Sequence, residues 1–139
     1  MKLLPRILLL LALAGLLAGG RAVFLGERPS AEADAYVVPP AQALAMEEVL
    51  WVDGRSRAAF EKDYMPGAIH LGTTEEAYQA GMAELLPRWD PVRPVVVYCD
   101  GEGCKASREL AGRLRSELGV ENILWVEGGW TALRKEADR

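Results

Sequence analysis

The sequence predicts an α/β domain built on a mostly parallel central sheet with helices covering both faces. Runs of β-forming residues alternate with segments of helical periodicity from about residue 37 onward. Such alternation is typical of parallel strands joined by crossover helices, which form three layers. The run Val95–Cys99 is expected to be the central strand. In sheets of this kind the working site lies beyond the carboxyl ends of the strands, which is where Cys99 falls.

The individual elements are bounded by capping residues and turns. Ser56 and either Thr73 or Thr74 stand where helix N-caps are expected, and Gly119 stands just after a helical pattern. The predicted elements, in chain order, are an edge strand at 36–38, a helix at 40–48, a strand at 49–53, a helix from 56 to about 64, a turn at 65–67, a strand at 68–71, a helix from 73 or 74 to about 86, a loop at 87–94, a strand at 95–99, a helix at 105–118, a strand at 123–126 and a last helix after the turn at 128–129.

The chain begins with a hydrophobic segment that is predicted to form a helix and enter a membrane. Lys2 and Arg6 precede an uncharged apolar run at residues 7–20, and positive charge before such a run stays on the cytoplasmic side. The run is shorter than the ~20 residues of a comfortable membrane span, so it also suits a cleaved signal peptide. We favour an uncleaved anchor over residues 1–25, with a signal peptide as the alternative.

The remainder divides into a tether and one domain. Residues 26–36 are polar, alanine-rich and contain prolines, which is typical of a flexible linker. Residues 37–139 are then long enough for a single core. The orientation of the anchor places this domain outside the cytoplasm, on the periplasmic or extracellular face, and cleavage would instead make it a secreted protein.

Composition excludes several classes of partner and cofactor. The chain has a net charge of −4, and every acidic residue lies at or beyond Glu27, so the domain is more acidic than the whole chain. Such a surface does not favour nucleic acid or anionic lipid. Two cysteines are too few for a disulfide framework, and with a single histidine no metal-ligand spacing is present, so we expect neither a metal nor another cofactor.

The segment after the central strand is the candidate reactive site. Cys99 ends the strand, and the loop that follows contains Gly101 and Gly103 before a helix begins at about Lys105. Glycine-rich backbone can turn its N–H groups inward, and a helix N-terminus adds partial positive charge. Both features stabilise a thiolate, which is the nucleophilic form of cysteine. The alternative is that Cys99 is an unreactive cysteine at the end of a core strand.

Three segments of the chain resemble the rhodanese domain family, in the order in which that family has them. They are Leu50-Trp51-Val52-Asp53-Gly54-Arg55-Ser56, Tyr64-Met65-Pro66-Gly67-Ala68-Ile69-His70-Leu71, with tyrosine where histidine is usual, and the stretch from Tyr98-Cys99 through the glycine loop to Val126-Glu127-Gly128-Gly129-Trp130. The resemblance covers about residues 37–134. It implies a three-layer rhodanese-like fold and a sulfurtransferase, with Cys99 as the catalytic residue that carries sulfur as a persulfide.

The resemblance also implies that the loop after Cys99 binds the substrate or its anion, through Asp100, Gly101, Glu102, Gly103, Cys104 and Lys105. This loop is a residue or two longer than in common single-domain members, and longer loops are thought to accept phosphate-like oxyanions. Lysine, however, is a point charge and not the bidentate clamp of the phosphatase-like members. The acidic residues at the rim further disfavour a doubly charged anion. We therefore expect a small sulfur donor or a persulfide-bearing protein, and sulfur transfer in preference to phosphatase chemistry.

Two alternative functions remain open. Cys104 could resolve an oxidised or persulfidated Cys99, which would make the pair a thiol–disulfide redox site, or it could pack the start of the helix. Rhodanese-like domains also serve as non-catalytic binding modules.

Several residues near the predicted strand ends are expected to support the site. Asp53 and Arg55 follow a core strand and are interpreted as a structural ion pair or helix cap, with Gly54 between them loosening the strand end. His70 is interpreted as a hydrogen-bonded structural histidine and not as a base. Trp130 is expected to pack in the core or to form a wall of the pocket.

Overall fold

The computed structural model describes residues 35–101, 103 and 105–139, and this part of the chain forms a five-stranded sheet with helices on both faces. The strands are β1 (Val37–Val38), β2 (Leu50–Asp53), β3 (Ile69–His70), β4 (Val95–Tyr98) and β5 (Ile123–Val126). The helices are α1 (Pro40–Ala45), α2 (Arg57–Lys62), α3 (Glu75–Leu85), α4 (Lys105–Leu118) and α5 (Gly129–Ala137), with a 3₁₀ turn at Leu86–Arg88.

The strand order creates one position where the connections diverge. The order is β1-β5-β4-β2-β3, and all neighbouring strands are parallel. From β2 the chain crosses to β3 on one side, whereas from β4 it crosses to β5 on the other side. Loops that leave adjacent strands in opposite directions open a crevice between them at the carboxyl edge of the sheet. This switch point lies between Asp53 and Tyr98, which are paired in the register of β2 and β4.

Alternate residues of the strands build two separate cores, as the pleat of a sheet requires. On one face Val95 and Val97 pack with residues of α3 and α4, such as Leu85 and Leu114. On the other face Val96 and Tyr98 pack with residues of α1 and α5, namely Ala43 and Leu133, and the partly buried Phe60 of α2 contributes at its margin. The predicted α/β class with a parallel central sheet is therefore confirmed.

The predicted helix caps are present, but two helices end earlier than expected. The hydroxyl oxygens of Ser56 and Thr74 accept hydrogen bonds from amides three residues ahead, each at 3.2 Å. Helix α1 stops at Ala45 because the next residue, Met46, has an extended backbone with ψ of 136°. Helix α2 stops at Lys62 because Asp63 is extended, and its carbonyl accepts a hydrogen bond from Arg55 instead.

The membrane-anchor or signal helix predicted for residues 1–25, and the tether as far as residue 34, lie outside the described residues. Within the described part of the chain, no helix combines the length and the apolar character needed to cross a membrane.

Candidate functional site

A cleft opens at the switch point between β2 and β4. Its volume is about 510 Å³. We call it the sulfur cleft, and it is lined by Gly54, Arg55, Ser56, Thr73, Cys99, Asp100, Gly101, Lys105 and Ala106. The position agrees with the general location of sites in parallel sheets. It brings the loop after β2 and the loop after β4 together, although about 45 residues separate them in sequence.

Cys99 lies at the base of this cleft. It follows directly after β4 and is 7% exposed, and it contributes to the apolar core beneath α3 and α4. Because Cys99 also lines the cleft, this residue is held by packing and still borders a solvent-accessible space. This combination of firm placement and restricted access suits a nucleophile.

The loop after Cys99 is only partly described. Asp100 and Gly103 are exposed, and Gly103 has a φ of +87°, which glycine adopts without strain. Helix α4 begins at Lys105, so its first-turn amides, which have no intrahelical acceptor, start at the cleft wall. Glu102 and Cys104 lie outside the described residues, so the complete anion-binding loop and the resolving thiol stay predictions.

Packing does not hold the Lys105 side chain in an orientation in which it would contact a bound anion. It is 86% exposed, and its Nζ lies 3.7 Å from Glu109 Oε1 in an i,i+4 pair. Exposed pairs of this kind are weak and easily rearranged. The Lys105 side chain therefore adds general positive charge at the rim of the sulfur cleft and not a fixed clamp.

A buried ion pair forms the opposite wall of the cleft. The Asp53 and Arg55 side chains are 0% and 3% exposed, and Arg55 donates to both carboxylate oxygens of Asp53 at 2.7–3.1 Å. Burial opposes the charge on Arg55 most strongly, but hydrogen bonds and attraction from Asp53 leave the pKa of Arg55 above its ordinary value. The bidentate geometry fixes the guanidinium at the end of β2.

Two aromatic rings that do not line the sulfur cleft pack against Arg55 from the other side. The guanidinium carbon of Arg55 lies 4.3 Å from the centroid of the Trp130 ring, and that ring stacks on Tyr98 with a centroid separation of 5.4 Å. The Tyr98 hydroxyl accepts a hydrogen bond from the Met65 amide at 3.1 Å, and burial raises the pKa of Tyr98. The cluster of Asp53, Arg55, Tyr98 and Trp130, which we call the clamp cluster, therefore links three strand ends.

The Gly128-Gly129-Trp130 turn contacts the cysteine loop directly. The Trp130 amide donates to the carbonyl oxygen of Cys99 at 2.7 Å. Gly129 has a φ of +57°, and a Cβ atom at that position would lie only 2.4 Å from the same carbonyl oxygen. The hydroxyl of Thr131 donates to the Asp100 carbonyl at 3.1 Å. Sequence reasoning did not identify Gly129 and Thr131 as supports of the loop, and the double glycine before Trp130 was the available signal.

His70 and Gly54 support the strand ends. His70 Nε2 lies 2.9 Å from the Arg55 carbonyl oxygen, and the His70 ring is 9% exposed and packs near Phe60. The amide of Gly54 donates to the Tyr98 carbonyl at 2.9 Å, so Gly54 extends the β2–β4 ladder by one residue. The expectation that Gly54 loosens the strand end was wrong, because a glycine in extended backbone still donates its ladder hydrogen bond.

Among the residues that the structure describes, no three His, Cys, Asp or Glu side chains are grouped so that they could hold a metal ion. The described chemistry of the site therefore consists of a thiol, backbone amides, a helix N-terminus and the buried arginine.

Comparisons with known proteins agree with this architecture. The sequence profile of the Rhodanese-like domain matches residues 40–136, whereas no curated protein matches the chain significantly. The N-terminal domain of a protein from Clostridium difficile 630 is 26% identical, with a TM-score of 0.54 over 74% of this chain and 99% of that one. A rhodanese-like domain from Anabaena sp., solved by NMR, is 18% identical, with a TM-score of 0.55 over 72% and 74% of the two chains.

A third similar structure is a protein of unknown function from Rhodopseudomonas palustris CGA009, described as a possible tyrosine phosphatase. It is 24% identical, with a TM-score of 0.53 over 76% of this chain and 86% of that one, and at this identity the likeness concerns the fold. The family profile spans more than half of the chain and includes both walls of the sulfur cleft. The chain therefore belongs to the rhodanese-like domain family.

Proposed function

We propose that this protein is a sulfurtransferase that carries sulfane sulfur as a persulfide on Cys99 and passes it to a thiophilic acceptor. The observation that supports this most directly is the position of Cys99, at the base of an open cleft and between a strand end and a helix N-terminus. Membership of the rhodanese-like family makes this chemistry the first choice among thiol reactions.

The reaction consists of two displacements at sulfur. In the first, the Cys99 thiolate attacks the outer sulfur of the donor, an S–S bond forms at Sγ, and the donor's own S–S bond breaks. The leaving group departs with the bonding electron pair, as a thiolate from an organic persulfide or as sulfite from thiosulfate. In the second, an acceptor thiolate attacks the outer sulfur, and Cys99 leaves as a thiolate. Since no net electrons are gained or lost by the protein, no redox cofactor takes part.

Residues around the thiol stabilise negative charge at each stage. The amides at the start of α4 and the helix dipole favour an anion on the outer sulfur. The hydrogen bond from Trp130 to the Cys99 carbonyl fixes the backbone to which the thiol is attached. The acidic residue next to Cys99, Asp100, is exposed at the rim and disfavours multiply charged donors. We therefore favour as donor a small sulfur compound or a persulfide-bearing protein over thiosulfate.

Intact-mass measurement tests the proposal. Incubation of the protein with polysulfide should add the mass of one sulfur atom, and a thiol acceptor should remove it. Cys99→Ser should give no adduct, whereas Cys104→Ser should still give one. Absence of an adduct from polysulfide, thiosulfate and an organic persulfide would rule out the transferase and leave a binding module. A loss of two hydrogen masses on mild oxidation that requires Cys104 would indicate the redox alternative.

The N-terminal sequence supports a membrane-anchored location for this activity, outside the cytoplasm. Lys2, Arg6 and the apolar run at 7–20 are the basis for this part of the proposal. Retention in the membrane fraction after carbonate extraction is the expected result. A soluble product that begins after Gly20 would instead indicate signal cleavage and secretion.

A further inference from the structure

A second, smaller cleft adjoins the sulfur cleft. It has a volume of about 250 Å³, and we call it the side arm. Three residues, Gly54, Thr73 and Ala106, line both spaces, so the side arm lies directly beside the cavity that Cys99 lines. The side arm is lined by Gly54, Leu71, Gly72, Thr73, Tyr78, Ala106, Glu109, Leu110 and Arg113.

Gly54 stands at the junction of the two spaces. A Cβ atom at this position would lie 3.0 Å from Leu110 Cδ2 and 3.4 Å from the Tyr98 carbonyl oxygen, so any side chain would press on Leu110. Gly54 is not among the glycines with positive φ, so its backbone does not require glycine. What glycine provides here is space at the boundary between the two cavities.

The walls of the side arm are mostly apolar. Leu71 and Tyr78 are buried, and Leu110 is half-buried beside them. Arg113 also lines the side arm. Its guanidinium carbon lies 3.4 Å from the centroid of the Tyr78 ring, and Arg113 is paired with Glu75 and Glu117. Its charge is therefore already compensated, and an oxyanion gains little there.

The volume limits what the side arm can hold. Pockets that enclose drug-sized ligands occupy ~300–1,000 Å³, so about 250 Å³ accommodates a single ring or a short aliphatic chain. Burial of such a group against the accessible surface of Ala106 and Leu110 is favourable by the usual apolar-area effect.

We infer that the side arm receives the apolar organic body of the sulfur donor, and that Gly54 and Leu110 set the size of the body that fits. This inference rests on the sulfur-transfer function proposed above and names its substrate class: small organic sulfane donors with an aromatic or short aliphatic group. For benzenethiosulfonate, the Cys99 thiolate attacks the terminal sulfur, the donor S–S bond breaks, and benzenesulfinate leaves with the electron pair. Thiosulfate undergoes the same step with sulfite as leaving group but has no apolar body.

The test compares these two donors on the full-length chain. Because they differ in intrinsic reactivity, the decisive quantity is the ratio of their kcat/KM values and how each variant changes it. Leu110→Phe fills the side arm from α4, and Gly54→Ala narrows the junction from β2. Each should lower the benzenethiosulfonate-to-thiosulfate ratio by about tenfold, which is the discrimination expected from loss of one buried apolar group. Leu86→Phe, at an exposed leucine outside both clefts, is the matched control and should leave the ratio unchanged.

A binding measurement separates this inference from the proposed function. Benzenethiosulfonate should bind the unreactive variant Cys99→Ser/Cys104→Ser, and adding Leu110→Phe should weaken its Kd about tenfold. If this binding pattern is found but wild type forms no persulfide, the proposed sulfur transfer is wrong, whereas the side arm is kept as a binding site for the apolar group. If the donor ratio stays within about twofold in both Leu110→Phe and Gly54→Ala, or if the Kd is insensitive to Leu110→Phe, the side arm is not a donor subsite.

Discussion

The two faces of the sheet are stabilised in different ways at its carboxyl edge. Tyr98 and Cys99 are consecutive, yet Tyr98 belongs to the core beneath α1 and α5 and Cys99 to the core beneath α3 and α4. On the Tyr98 face the clamp cluster contains an ion pair whose side chains are nearly inaccessible. On the Cys99 face the described core is apolar, with buried aliphatic residues and the aromatic residues Tyr78 and Trp125, and the ion pair of Arg113 with Glu75 that joins α3 to α4 lies on the surface.

Because of this difference, one face positions the cysteine loop and the other leaves Cys99 next to open space. The clamp cluster holds the cysteine loop from behind, because Trp130 contacts Arg55 with its ring and the Cys99 carbonyl with its amide. The opposite, apolar face leaves Cys99 at a cleft, which the side arm adjoins. Cys99 therefore lies between a face with several specific polar contacts behind its loop and a face where it borders open space.

Removing the cation of the clamp cluster should have the largest effect on stability. Arg55→Met leaves the Asp53 carboxylate buried without its partner, and an uncompensated buried charge typically costs about 3–5 kcal/mol. Chemical denaturation followed by fluorescence should therefore show a much lower midpoint. The persulfide yield should fall as well, since Trp130 loses the guanidinium that lies over its ring.

The matched control for this prediction is Arg57→Met. Arg57 pairs with Glu61 in an exposed i,i+4 arrangement, 2.8 Å apart, which is worth at most about 1 kcal/mol. Equal losses of stability in Arg55→Met and Arg57→Met would mean that the buried pair contributes no more to stability than an exposed pair.

The contact between the Gly128-Gly129-Trp130 turn and the cysteine loop should be the next most sensitive point. Gly129→Ala introduces a Cβ atom 2.4 Å from the Cys99 carbonyl oxygen, in addition to the strain of a positive φ. We expect a loss of about 2–3 kcal/mol in stability, from strain and overpacking together. The rate of persulfide formation should also decrease, because the loop must move to relieve the contact.

Gly119→Ala isolates the effect of backbone strain in this comparison. Gly119 also has a positive φ, +68°, but a Cβ atom there would meet nothing within 4 Å. The Gly119→Ala variant should lose about 1 kcal/mol in free energy of unfolding and keep the wild-type rate of persulfide formation. If the two alanine variants react with polysulfide at the same rate, the turn does not position the cysteine.

Local sequence patterns predicted the elements of the fold well, because each element depends on its own residues. The valine run of β4, the caps at Ser56 and Thr74 and the glycine that ends α4 all follow from local chemistry. The early end of α2 was not predictable in this way. It depends on a hydrogen bond between Arg55 and the Asp63 carbonyl, which forms only when the two loops meet.

The candidate nucleophile could be predicted from the sequence, but the residues that support its loop could not. Cys99 could be located because a strand, a glycine loop and a helix start are adjacent in sequence. The approach of Gly129 to Cys99, and of Trp130 to Arg55, joins segments that are 30 or more residues apart. Periodicity carries no information about such contacts, so the role of the double glycine became evident only from the tertiary structure.

Removal of the surface ion pairs of the Cys99 face should have the smallest effect on stability, and this effect should depend most on pH. Hydrogen bonds from Arg113 lower the pKa values of Glu75 and Glu117, with a further contribution to Glu117 from the Tyr78 hydroxyl. A carboxylate whose pKa is lowered by folding stabilises the protein above its ordinary pKa of about 4.5, and this contribution is lost as the pH falls through the folded-state value. Arg113→Gln should therefore lower Tm slightly at pH 7, and the difference from wild type should shrink at pH 3.

High salt separates the two contributions that Arg113 can make. The guanidinium also lies 3.4 Å over the Tyr78 ring, a contact that does not require the carboxylates. If the ion pairs dominate, 1 M salt at pH 7 should reduce the Tm difference as acid does, because the Debye length is then only ~3 Å. A difference that persists in both acid and salt would show that Arg113 acts through its contact with the Tyr78 ring and not through the ion pairs with Glu75 and Glu117.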